Sequence, residues 1–126
     1  MPLVRIDMRR GKSPAYKQAI CDGIYRALRE IFTVPEEDRF MVVNEPDDEN
    51  FIHSRNYLGI AHSNDFIMLQ IAVSDTRTVD QKKALYARIV ALLAENPGMQ
   101  PQDVMINLIE VATANWSFGN GIAQYV

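Results

Sequence analysis

One cysteine, one tryptophan, two histidines and no apolar run long enough to cross a bilayer are the shortages that first narrow the field for these 126 residues. A lone cysteine, Cys21, rules out an internal disulfide and suits a reducing compartment. It falls in a helical segment with no nucleophile signature around it, so it reads as a small, half-buried side chain. His53 and His62 have no ligand spacing to any Cys, Asp or Glu cluster, and neither a metal nor a cofactor is expected. Positive charge is also short: 13 Lys and Arg against 16 Asp and Glu give a net charge of −3. That excludes a broad basic field and, with it, a nucleic-acid partner. The opening MPLVRIDMRRGK reaches charge at once, unlike a secretory signal, and nothing approaches the roughly 20 apolar residues of a membrane span. A cytoplasmic protein with no membrane partner is the expectation. Gly119 and Gly121 lack the strand-to-helix setting of a phosphate-binding loop.

What is present is 48% hydrophobic residues in a chain long enough for one core, set out twice. PLVRIDM alternates as a strand does. GKSP follows, with Ser13 placed to cap a helix and Pro14 at its first position. Tyr16, Ala19, Ile20, Gly23, Ile24, Ala27, Leu28, Ile31 and Phe32 then mark one helical face, Pro35 closes it, and FMVV (40–43) reads as a second strand. Sliding the chain along itself by 65 residues matches Ile6 with Ile71, Lys17 with Lys82, Ala19 with Ala84 and Ile24 with Ile89. Leu28 with Leu93, Glu30 with Glu95, Asp38 with Asp103 and Glu45 with Glu110 follow. Average residue usage would give roughly two or three such identities by chance, so the repeat is genuine.

Each copy is strand, helix, strand, and a helical crossover joins parallel strands. The expected fold is α+β (α/β-like): duplicated β-α-β units forming a four-stranded sheet with two helices on one face. One domain spans 1–126, with repeat 1 at about 2–46, a connecting loop at about 47–64, repeat 2 at about 65–111 and a tail at 112–126. The run FIMLQIAV (66–73) reads as a strand buried on both faces. Two helices cover only one face, so a partner subunit is expected on the other. The connecting loop is polar, with a short strand expected at Phe51–His53.

Pro2 breaks the match between the copies, since its counterpart is Ile67. It can simply start a strand, where a missing N–H costs nothing. Alternatively, trimming of Met1 would leave it a free secondary amine. An α-amino group titrates near 8, burial lowers that value and a nearby carboxylate raises it. Such a group can serve as acid or base near neutrality.

MPLVRID, VPEEDRF (34–40), SDTRT (74–78) and NWSFGNG (115–121), in that order and with the repeat, resemble the tautomerase superfamily, and within it the malonate semialdehyde decarboxylase-like group. The resemblance covers nearly the whole chain. It implies a catalytic proline at Pro2, an assisting acid at Asp38 and a carboxylate-binding arginine at Arg77. Trp116 and Phe118 would wall the pocket. It also implies a homotrimer whose sheets line the centre. Arginine's planar fork suits a small anionic oxo acid, and an aromatic wall excludes water. Lys12 stands at the repeat-equivalent place to Arg77, where short tautomerases hold a substrate-binding arginine. The decarboxylase relatives carry a second arginine where this chain has Asp75, which would repel an anionic substrate or pair with Arg77. Arg9, Arg10, Lys12 and Arg55 are the cations that could compensate. Keto–enol transfer, decarboxylation and water addition use the same parts, so the reaction stays open. A non-catalytic oligomeric binding protein of the same fold is the reading from another class.

Overall fold

The computed structural model describes residues 1–126. Strand β1 (Leu3–Met8) leads to helix α1 (Pro14–Phe32) and strand β2 (Phe40–Asn44). A small hairpin, β3 (Asn56–Tyr57) and β4 (Ile60–Ala61), fills the connection. Strand β5 (Ile67–Ser74), helix α2 (Val79–Glu95) and strand β6 (Val104–Val111) repeat the unit. The main sheet runs β2-β1-β5-β6, parallel within each copy and antiparallel between β1 and β5.

Both helices begin as their sequences dictate. The Ser13 hydroxyl accepts from the Tyr16 amide, with Pro14 in the first turn. Thr78 and Gln81 exchange side-chain and backbone bonds as a capping box. α1 stops at Phe32 because Thr33 turns left-handed, φ 52°. The helices pack side by side over Val4, Ile6 and Met8 of β1 and Ile67, Leu69, Ile71 and Val73 of β5, making one continuous core.

Two expectations are corrected. β5 is not buried on both faces within the chain: Gln70 is exposed and Met68 and Ala72 half-buried, because a strand's alternate residues face away from the helices. The register brings Phe40, Leu3, Ala72 and Ile109 into a row on that open face, with Val42, Arg5, Gln70 and Asn107 beside them. Nor is there a strand at Phe51–His53. A single turn of 3-10 helix occupies Asp48–Asn50, and the pairing comes later, across the Leu58–Gly59 turn. The Phe51 ring is buried, edge-on to Phe66 and under the Arg9 guanidinium, so side-chain packing rather than strand pairing holds this segment.

Candidate active site

The start of β1, the loop after β5 and the tail meet at one end of the sheet. Antiparallel pairing sets Leu3 opposite Ala72, which carries Pro2 towards the segment after Ser74. Three hollows adjoin there. One of about 430 Å³ is lined by Met1, Phe32, Pro35, Ser74, Arg77 and Tyr125, among others. A second, about 240 Å³, is an aromatic slot of Pro2, Leu3, Phe40, Trp116 and Phe118. The third, about 230 Å³, holds Asp38 and shares Met1, Pro35 and Tyr125 with the first.

Pro2 is buried, and as an internal residue its nitrogen is an amide without basicity. Asp38 is 6% exposed, and neither carboxylate oxygen accepts a hydrogen bond from the protein. Its one charged neighbour is the Met1 α-ammonium at 3.4 Å, an ion-pair contact without hydrogen-bond geometry. An unsatisfied buried carboxylate is costly, and here it faces the chain's amine.

Arg77 sits on the turn between β5 and α2. Its Nη2 donates to the Phe32 carbonyl at 2.7 Å, its Nη1 to the Thr76 hydroxyl at 2.6 Å, and its charge lies over the Phe32 ring. It thereby occupies an orphan carbonyl at the C-terminus of α1. Arg77 pairs with no carboxylate. Asp75 does not touch it: the Asp75 carboxyl points at Glu110, whose hydrogen bond and charge push its pKa up. Glu110 in turn is gripped by Lys82 at 2.7 Å. The expected pairing of Asp75 with Arg77 is therefore absent, because the Asp75 carboxyl lies by Glu110 while the Arg77 guanidinium is bound to the Phe32 carbonyl and the Thr76 hydroxyl.

Trp116 and Phe118 stack at 5.5 Å, 9° from parallel, and Phe118 approaches Phe40 at 6.4 Å. The Trp116 indole N–H is buried without an acceptor. Lys12 is not among these groups. It follows the far end of β1, bound to Asp65 at 2.5 Å and lying over the Tyr16 ring. Arg9 and Arg10 are likewise at that far end, tied to Asp48 and Asp47. Sequence reasoning missed Tyr125 and Phe40. Tyr125 lies in the tail, which has no counterpart in the repeat, and Phe40 reads as an ordinary strand residue.

Tautomerase enzyme family models match residues 38–119 and 2–59. A probable tautomerase of Bacillus subtilis (strain 168), YusQ, is 33% identical over all 126 residues and 99% of its own length. The chain belongs to the tautomerase family. It is thus a tautomerase-family enzyme by descent. Two solved malonate semialdehyde decarboxylases share 28% and 33% identity, each with a TM-score of 0.91 over 98% of this chain and 95% and 93% of theirs. The first is described with decarboxylase and hydratase activities, the second as inhibited by 3-bromopropiolate. A fused 4-OT described as a symmetric trimer, 21% identical over 98% of this chain and 97% of its own, shares the fold with a TM-score of 0.79.

Proposed function

We propose that this tautomerase-family chain moves a proton at the carbon beside the carbonyl of a small oxo or enol carboxylic acid, with the Pro2 amine as base and acid after loss of Met1. The observation that carries this is the convergence on one strand end of Pro2, a buried carboxylate with no hydrogen bond of its own, and an arginine with no anionic partner. In the forward step the Pro2 nitrogen takes the proton, the C–H pair becomes a C=C bond and the carbonyl pair moves to oxygen. Asp38 steadies the ammonium that forms, as a nearby anion favours a cation. Arg77 holds the substrate carboxylate with its remaining N–H donors. The aromatic slot beside Pro2 takes an apolar substituent, which favours a substrate such as phenylpyruvate.

Decarboxylation or hydration of malonate semialdehyde is the second reading, favoured by the two decarboxylases with TM-scores of 0.91. Against it, this chain offers one arginine, Arg77, where the decarboxylase-like pattern that its sequence resembles has two. We infer a homotrimer built on the open sheet face, in a cytoplasmic setting; the apolar row of Phe40, Leu3, Ala72 and Ile109 supports it.

The test is a panel of phenylpyruvate, 2-hydroxymuconate and malonate semialdehyde, with the mass of the mature chain measured alongside. Phenylpyruvate turnover by a chain lacking Met1 is expected, reduced on the order of 10²-fold in Pro2→Ala. Arg77→Ala should raise KM by roughly 10- to 150-fold, the worth of a charged hydrogen bond. Turnover unaltered in Pro2→Ala would place the chemistry elsewhere.

A further inference from the structure

Tyr125 stands between the two charged parts of the site. Three residues line both the Arg77 hollow and the Asp38 hollow: Met1, Pro35 and Tyr125. Only the tyrosine brings a side-chain hydrogen-bond donor to that junction. Its place is held from two directions. The ring meets Phe118 edge to face at 5.1 Å. The preceding Gln124 brackets the tail, accepting from the Phe118 amide at 2.9 Å and donating to the Gly119 carbonyl at 3.0 Å. Tyr25, by contrast, spends its hydroxyl on the Glu36 carbonyl, whereas the Tyr125 hydroxyl has no such partner within the chain. Burial first, then the negative charge of Asp38, push the Tyr125 pKa up, so the phenol keeps its proton at neutral pH.

We propose that Tyr125 is the hydrogen-bond donor to the substrate's carbonyl oxygen, set between the arginine that holds the carboxylate and the acid that supports Pro2. The inference rests on the proton-transfer reading and adds to it. As the Cα–H pair becomes the C=C bond, negative charge gathers on the carbonyl oxygen. A fixed donor that meets the charge as it develops lowers the barrier more than it strengthens substrate binding. The phenol keeps its proton throughout, and the enolate oxygen is protonated by water at the open mouth of the hollow.

The decisive variant is Tyr125→Phe, which keeps the ring against Phe118 and removes only the hydroxyl. The kcat for phenylpyruvate should fall by about 10²-fold, the lower range for loss of one such donor, while KM changes little. Binding of oxalate, a planar enolate mimic, and of propionate, a plain carboxylate, is measured by calorimetry on the same proteins. Tyr125→Phe should weaken oxalate by about tenfold and leave propionate unaltered. Arg77→Ala should weaken both. A phenylalanine variant with unchanged kcat overturns the inference while leaving the Pro2 reading intact. If the wild type turns over none of the oxo acids, the proton-transfer reading falls, and oxalate binding still judges Tyr125: equal affinity in the variant, or no binding by the wild type, overturns its role.

Discussion

Asp38 and Asp103 occupy equivalent places in the two repeats, and the fold treats them in opposite ways. Asp103, 1% exposed, accepts from the Ser63 amide at 2.7 Å and the Ser63 hydroxyl at 2.5 Å. Asp38 accepts nothing from the protein. Of the Asp103–Ser63 pair only Asp103 is buried, and losing the charge-assisted bonds it accepts from the exposed Ser63 costs about 1.5–3 kcal/mol. Asp103→Ala should therefore lower the unfolding free energy read from urea curves by that amount and leave kcat alone. Asp38→Asn should reduce turnover while holding or raising stability, because a buried unpaired charge is a cost to the fold. Denaturation curves and turnover on both variants check this; a stability loss confined to Asp38→Asn would make it the structural member of the pair. Arg77 and Asp75 carry the same lesson two residues apart, one facing the hollow and the other the Glu110–Lys82 pair.

The two helices meet closely at Gly23, where an added Cβ would stand 2.9 Å from Leu93 Cδ2. Alanine is the better helix former by about 0.5–1 kcal/mol, but Leu93 is fully buried and cannot yield freely. Overpacking costs of about 1–3 kcal/mol win, so Gly23→Ala should lower the melting temperature; a rise would show that the Leu93 side chain relaxes. Glu30 ties α1 to α2 through Arg88 at 2.6 Å and reaches Arg26 within its own helix at 2.8 Å. The Arg88 hydrogen bond, then that of Arg26, holds the Glu30 pKa down at about 2. A depressed carboxylate stabilises the fold above its unfolded value of about 4.3 and ceases to do so as pH falls towards about 2. Glu30→Gln should flatten the acid limb of the stability–pH curve across that window, with only a small effect at pH 7 because the pair is exposed. An identical acid limb in the variant would mean the pair adds nothing.

At the scale of the whole molecule the sheet is finished on one side only. Phe40 is 50% exposed, Val42 43%, Met105 50% and Ile109 40%, all on the face away from the helices. Contiguous apolar surface of that kind marks an interaction face, and continuity with the aromatic slot at Leu3 and Phe40 ties it to the site. Light scattering at micromolar concentration should return three chains, and Ile109→Glu should shift the equilibrium towards monomer. A monomeric wild type would remove the assembly and leave the open face unexplained.

Local and repeating features were legible from the residues alone. Ser13, Pro14 and Thr78 begin helices because capping is settled within one turn, and the repeat of 65 residues carried the βαβ pairing and the equivalence of Asp38 with Asp103. The association of Pro2, Asp38, Arg77, Trp116 and Phe118 was also readable, through family motifs rather than periodicity. Other features depend on contacts between distant segments, which no local pattern encodes. Tertiary structure alone put Lys12 at the far end of the sheet, turned Asp75 towards Glu110 and brought Tyr125 between Arg77 and Asp38. It also left one aspartate satisfied and its counterpart bare, because the loop that supplies Ser63 to Asp103 lies between the repeats and occurs only once.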